Sequence, residues 1–354
     1  MSTPQPPYPE SIEPEEISRL AELQFGEPVR GITAPGGKTR DSLRVHFENH
    51  SVIASYRHRA SRREREVLVL ETLHRAGAPV PELLGVQGAL LFQSDVGKGR
   101  LSTQLHRRDR DGQISLAEAA FTSLWEIKRA ARDTGLTEEV PAVASSAKWV
   151  SRFATDCRKL ATALDIPAPA ADYSAISRAI VPVPRHFVKW DARSGNAAVQ
   201  ADGRVMWFDW EHAGRRHGIE DFGFLIADEF WSLSPEDSLQ AFSNTCPGNA
   251  EALLPHLIRF STLQAGERLR LIQKEVFKRG WTRFERARRY DRMGAAPELA
   301  MNVAKHADEL AAMDPLTVPL SGWYSQAAEA LFEWWEKVGQ FADTEDQPPE
   351  ENAP

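Results

Sequence analysis

Between Asp191 and Asp209 the chain reads DARSGNAAVQADGRVMWFD, and no other stretch constrains its folding as strongly. Asp-Gly between two short apolar runs signals a hairpin, because both residues tolerate the left-handed backbone of a two-residue turn. Taking Asp202 and Gly203 as the central pair sets Ala201 opposite Arg204, Val199 opposite Met206 and Asn196 opposite Asp209. Directly opposed residues of an antiparallel pair project to one face with Cβ atoms about 4.5–5.5 Å apart. An amide oxygen and a carboxylate then converge at the open end of the hairpin, and hard oxygen donors suit Mg²⁺. Asp191, five residues before Asn196, leads into the first strand and reaches the same space. Two metal donors beside a separate carboxylate match the needs of phosphoryl transfer: a cation to neutralise phosphate charge and a base to orient the attacking hydroxyl.

The rest of the chain is compatible with such a site. Its 354 residues are ample for two lobes or one bilobal unit. No apolar run approaches the roughly 18 residues of a membrane span. The opening residues lack the positive start and apolar stretch of a secretory leader. Two cysteines, Cys157 and Cys246, supply neither a disulfide framework nor a four-ligand zinc site, so a cytoplasmic location is expected. The net charge of −7 sits in the ends: residues 1–16 and 342–354 hold nine acids and no base, leaving +2 for residues 17–341. That is too small an electrostatic footprint for a nucleic-acid partner. The proline-rich acidic ends, 1–18 and 342–354, are expected to be disordered tails.

Leu43, Val45 and Phe47 alternate with polar residues, Val52–Tyr56 is a second short apolar run, and the Glu-Asn-His turn between them predicts a β-hairpin. Ser61-Arg62-Arg63-Glu64 fits a capping box, opening a helix that carries Val67, Leu70 and Leu73 and stops near Gly77. Gly88–Phe92 reads as a buried strand. Helices are expected over 116–132, 147–164, 251–279 and 322–341, the last with an apolar stripe of Ala327, Leu331, Trp334, Trp335, Val338 and Phe341. His106-Arg-Arg-Asp109 imitates a kinase catalytic loop, but Ile114 stands where asparagine is required, so 106–112 is read as an exposed polar loop.

Asp191-x4-Asn196, the hairpin, Phe208-Asp209 and the following Gly218-Ile-Glu-Asp221 together resemble the core of the aminoglycoside phosphotransferase and choline kinase superfamily. The resemblance implies an α+β, bilobal, protein-kinase-like fold: an N-lobe over 19–98 with a small antiparallel sheet and a helix, and a larger, mainly helical C-lobe over 99–341. It implies ATP and Mg²⁺ as cofactors, with Asp191 as the catalytic carboxylate and Asn196 and Asp209 as metal ligands. Asp221 would support the catalytic loop, with Lys189 in that loop. Gly36-Gly37-Lys38-Thr39, just before a strand, resembles the family's phosphate-covering loop; five residues between Gly31 and Gly37 rule out a P-loop. The family pairs a strand cation with a helix glutamate. Glu66 matches the helix position, while Arg57 and Ser55 both remain candidates on the strand. Gln93-Ser-Asp95-Val-Gly97 resembles the inter-lobe hinge, whose backbone would hold adenine.

The acceptor implied is a hydroxyl of a small molecule or a peptide natural product. Acidic residues (Glu211, Glu220, Asp228, Glu229) suit a cationic acceptor and basic ones (Arg259, Arg268, Arg270) an anionic one, and the sequence does not choose. Lys189-Trp190-Asp191 replaces the family's usual His-Gly-Asp, and no lysine lies on 51–59. These departures make a pseudokinase, a nucleotide- or partner-binding scaffold, the alternative.

Overall fold

The segments Leu43–Phe47 and Val52–Tyr56 do pair as a hairpin at the centre of a sheet. The computed structural model describes residues 8–9, 11–35, 42–290 and 293–338. Its N-terminal part comprises α1 (Pro14–Phe25), β1 (Gly31–Thr33), β2 (Ser42–His46), β3 (Ser51–Tyr56), α2 (Ala60–Arg75), β4 (Leu83–Gln87) and β5 (Leu90–Ser94). The five strands are antiparallel in the order β1-β2-β3-β5-β4. Period-two alternation divides the sheet cleanly. Val45, Val52, Ala54, Tyr56, Leu90 and Phe92 face Ile17 and Ala21 of α1 in one small core. The opposite parity carries Arg44, Ser55 and Gln93, buried polar residues that look toward the lobe interface.

The expected tail over 1–18 is therefore corrected for residues 14–18; residues 1–7 and 10, and the expected tail over 342–354, lie outside the described residues. Pro14 stands in the first turn of α1, where a missing N–H costs nothing. Glu15 and Glu16 occupy the same turn, where the helix dipole favours acids. Residues that suggest disorder by composition are here helix-start signals. Tyr56 Oη also donates to the Pro9 carbonyl at 2.8 Å, extending the packed region upstream of the helix. The capping box is not formed either: α2 begins at Ala60 with Arg59 as its cap and no side-chain capping bond, so Ser61 already lies inside the first turn.

The C-terminal part contains α3 (Leu101–Leu105), α4 (Arg110–Asp133), α5 (Leu136–Glu139), α6 (Ala147–Ala154), α7 (Asp156–Leu164), α8 (Tyr173–Ala179), β6 (His186–Val188), β7 (Ala197–Val199), β8 (Val205–Trp207), β9 (Gly214–Arg216), α9 (Glu220–Ile226), α10 (Pro235–Thr245), α11 (Ala250–Arg279), α12 (Phe284–Tyr290), α13 (Pro297–Ala312) and α14 (Trp323–Val338). Its core is built on fully buried aromatics, among them Phe121, Trp207, Trp210, Phe222, Trp231 and Phe242. Ala327 and Leu331 of α14 are buried and Trp334 stacks on Phe277 with ring centroids 3.8 Å apart, so the stripe is a packing face as far as Trp334; Phe341 lies outside the described residues. Residues 106–112 are not a free loop: Asp109 caps α4 by accepting from Gly112 N at 3.0 Å, and His106 packs against Phe284. Among the described residues no helix is long and apolar enough to cross a membrane.

The lobes are stitched on both flanks. On one side Trp207 N donates to Pro79 O at 2.9 Å and Arg204 reaches Gly77 O at 3.0 Å. On the other, Gln200 Nε2 donates to Val96 O at 2.7 Å, in the linker after β5.

Truncating Ile17 tests whether α1 is an integral part of the fold. Ile17→Ala is expected to lower unfolding stability by about 2–4 kcal/mol, measured by urea denaturation; a change near zero would return this segment to the status of a tail.

Candidate active site

The Asp-Gly hairpin forms, but one residue out of the expected register. Ala197 pairs with Trp207, Ala198 with Met206 and Val199 with Val205. The loop is Ala201-Asp202-Gly203, closed by Gln200 N to Arg204 O at 2.8 Å and Gly203 N to Gln200 O at 3.0 Å. Gly203 takes φ +86° at its last position, the signature of a three-residue loop ending in a bulge. Asn196 consequently lies opposite Phe208, whose N–H donates to the Asn196 carbonyl at 3.1 Å, and not opposite Asp209. Asp209 leaves the ladder at φ +63°, so a left-handed turn, instead of strand register, aims its carboxylate.

The segment carrying Asp191 is held by one buried carboxylate. Asp221, in the first turn of α9, accepts from Lys189 N at 3.0 Å and Trp190 N at 2.9 Å. Lys128 of α4 donates to Asp221 at 2.5 Å and to the Phe187 carbonyl at 3.0 Å. Trp190 and Asp191 then adopt φ of +57° and +60°, a region L-residues rarely occupy. The Trp190 ring is packed edge-on against Trp149 and Phe224, with the Arg216 guanidinium 5.4 Å from its centroid. Asp191 Oδ1 accepts from Arg193 Nε at 3.0 Å and Oδ2 from Asn196 Nδ2 at 3.2 Å, while 32% of its side chain stays exposed. Ser194 is anchored by Asp228, which accepts from its N–H at 2.7 Å and its hydroxyl at 2.5 Å.

Lys189 is fully buried, and its ammonium donates to the Asp209 carbonyl at 2.8 Å. It thereby joins the Asp191 turn to the Asp209 turn. Burial pushes its pKa down, opposed by the charges of Asp209, Asp191, Asp221 and Glu66. Burial works to raise the Asp209 pKa, but Arg57, Lys189, His212 and Arg193 overcome it and hold the carboxyl below its usual range.

Across the interface, Arg57 follows β3 with the parity of Ser55 and faces Glu66 on α2, 2.6 Å from Nε and 3.4 Å from Nη2. Gln93 Nε2 and Trp210 N also donate to Glu66, at 3.2 and 3.4 Å. Arg57 Nη2 continues to Asp209 Oδ1 at 2.8 Å. Ser55 instead shares a hydrogen bond with Ser42 at 2.9 Å, so the arginine is the residue that meets the helix glutamate. Asp95 is tied to Arg44 at 2.5 and 2.9 Å, to Ser51 at 2.6 Å and to Gly97 N at 2.9 Å, fastening the linker to the sheet. Gly36, Gly37, Lys38 and Thr39 lie outside the described residues.

Among the described residues no group of three or more His, Cys, Asp or Glu side chains could hold a metal. An amide oxygen and one carboxylate nonetheless fit Mg²⁺, which keeps several waters and shares substrate phosphates instead of filling a protein cage. The Asn196 amide nitrogen is committed to Asp191, leaving its oxygen as the atom to face a cation.

No family model and no curated protein sequence matches this chain. Solved structures do. A choline/ethanolamine kinase family protein from Mesorhizobium loti aligns over 90% of this chain and 98% of its own, with TM-score 0.53 and 16% identity. An amicoumacin kinase in complex with AMP-PNP, Ca²⁺ and Ami aligns over 80% and 92%, with TM-score 0.55 and 11% identity. The chain therefore shares the fold of these small-molecule kinase structures, an α+β arrangement of a small antiparallel sheet lobe and a larger helical lobe. The GDP complex of an aminoglycoside 2'-phosphotransferase shares this kinase-like fold over 76% of this chain and 95% of its own, with TM-score 0.54 and 12% identity. Within the kinase-like scaffold, Arg193 is the residue that sequence reasoning missed at Asp191, although it lies inside the Asp-x4-Asn motif. Lys128 and Asp228 were missed as anchors because their partners are 93 and 34 residues away.

Two outcomes follow for this kinase-like C-lobe. Asp221→Ala strands the Lys128 ammonium and frees two backbone N–H groups, so it is expected to cost about 3–5 kcal/mol in denaturant unfolding. Burial, then the Glu229 charge, push the Asp228 carboxyl up to about 7 from 3.8. The folded state then binds a proton that the unfolded chain has released, so stability falls as pH rises from about 4 to 7. Asp228→Asn is expected to flatten that slope in melting profiles taken across the range.

Proposed function

We propose that the protein is an ATP- and Mg²⁺-dependent phosphotransferase that moves the γ-phosphoryl group to a hydroxyl of a small molecule or peptide natural product. The observation that carries the reading is that Lys189 ties the turn bearing Asp191 and Asn196 to Asp209, which in turn meets the Arg57–Glu66 pair across the lobe interface. Asp191 accepts or orients the hydroxyl proton, its carboxylate steered by Arg193 and Asn196. Asn196 and Asp209 would hold Mg²⁺, which neutralises charge on the phosphates. Arg57, braced by Glu66, serves the α- and β-phosphates, and Gly36, Gly37, Lys38 and Thr39 cover them. The linker from Gln93 to Gly97 offers its backbone to adenine, the side chains of Gln93 and Asp95 being engaged with Glu66 and Arg44. Asp221 and Lys189 support the loop. Free thiols at Cys157 and Cys246 suit a reducing cytoplasm.

The acceptor is read by groups other than the charges noted in the sequence, since each of those already has a partner within the protein. Glu220 pairs with Arg216, Glu229 with Arg268, Arg259 with Asp314 and Arg270 with Asp156, while Asp228 holds Ser194 and Glu211 meets Arg62.

A pseudokinase is favoured by one observation, the Arg57 guanidinium seated on Asp209. Two measurements separate the readings. Under the phosphotransferase reading, turnover of ATP with a panel of hydroxylated metabolites and peptides is expected to fall at least about 100-fold in Asp191→Ala. Mg²⁺·ATP is expected to raise the melting temperature, an effect lost in Asp209→Asn. Metal-dependent stabilisation without turnover on any acceptor supports the scaffold, and no stabilisation at saturating ATP sinks both.

A further inference from the structure

Pairing with the α2 glutamate requires one cation, and Arg57 does more than pair. Its side chain is 5% exposed and its planar fork serves two lobes at once: Nε meets Glu66 at 2.6 Å and Nη2 meets Asp209 Oδ1 at 2.8 Å. Glu211, two residues beyond Asp209, lies 3.7 Å from Nε and is held from the other side by Arg62 at 3.1 Å. Arg65 reaches the Glu211 carbonyl at 3.3 Å. An ammonium is a compact point charge, whereas a guanidinium presents rigidly spaced donors to two separate carboxylates. The same guanidinium stays charged at any working pH, so it leaves a carboxylate only by moving away.

The carboxylate it occupies is the one assigned above to the metal. A divalent ion arriving alone must compete with a buried, already hydrogen-bonded cation for Asp209. Nucleotide phosphates change that competition, because they offer Arg57 an alternative anion within the same cleft while it keeps its bond to Glu66.

We infer that Arg57 is a displaceable latch between the lobes: it neutralises Asp209 until metal and nucleotide arrive together, and so makes the two bind as a unit. The inference rests on the phosphotransferase reading. Binding linkage is reciprocal, so the nucleotide must tighten metal binding by the same factor as the metal tightens nucleotide binding.

The test uses the full chain and Mn²⁺, alone and with AMP-PNP, with protein-bound metal and nucleotide counted by equilibrium dialysis against a protein-free chamber, because AMP-PNP itself chelates Mn²⁺. Wild type is expected to bind Mn²⁺ weakly alone and far more tightly with AMP-PNP. Arg57→Lys keeps a charge for Glu66 but cannot span both carboxylates. It is expected to tighten Mn²⁺ binding alone by at least tenfold and to shrink the metal–nucleotide coupling by at least tenfold. Arg57→Met/Glu66→Met removes both buried charges and is expected to do the same, which covers the case of a poorly folded lysine variant. Asp209→Asn should abolish Mn²⁺ binding in each background. Equal Mn²⁺ affinity in wild type and both variants, with AMP-PNP binding intact, overturns the latch and leaves the phosphotransferase reading standing. Absence of Mn²⁺ binding in every protein, with or without AMP-PNP, overturns both.

Discussion

A single carboxylate shut away from solvent, Asp221, fixes the backbone from which the C-lobe site residues project. It is 1% exposed and balanced by Lys128, and its oxygens accept from two consecutive backbone N–H groups. A buried charge is costly unless paired and fully hydrogen-bonded, and here every demand is met. That anchor lets Trp190 and Asp191 persist in the left-handed region, where each ordinarily costs on the order of 1–3 kcal/mol. Rings of Trp149 and Phe224 close around Trp190 and hold the turn from the other side. With the turn fixed, Asp191 stands within reach of Arg193 and Asn196, and Lys189 lies beside Asp209.

Charge organisation follows the same logic on a larger scale. Lys189, Arg57, Glu66, Asp209 and Asp191 form one contiguous cluster in which each charge has a partner of opposite sign or a carbonyl. The sheet contributes by parity alone: the apolar set Val52, Ala54 and Tyr56 builds a core with α1, and the interleaved Ile53, Ser55 and Arg57 look the other way. One strand thus serves stability and site without compromise between them.

Much of this arrangement was legible in the residues, and the exceptions have physical causes. The hairpin was legible because its turn residues and flanking apolar runs are local, and Glu66 because the motif resemblance points to its helix position. The register failed by one residue because Asp-Gly suits both a two-residue turn and a three-residue loop whose glycine forms a bulge. The left-handed turn at Asp209 directs its carboxylate to Arg57. Proline and glutamate at 14–16 mean disorder in one context and a helix start in another, and only the buried Ile17 decides. Lys128 carried no local signal, since its worth depends on a carboxylate in a different helix. Arg57 could be separated from Ser55 only once Ser42 was seen to claim the serine.

The stitching of the lobes bears on how any ligand comes and goes. Bonds from Trp207 and Arg204 to the Pro79 region close one flank, and Gln200 to Val96, backed by the Arg44–Asp95 lock, closes the other. Bending at the linker would work against these bonds, so the backbone of each lobe helps to set the placement of the other. A ligand entering between the lobes would meet walls whose backbones are pinned to each other at both flanks.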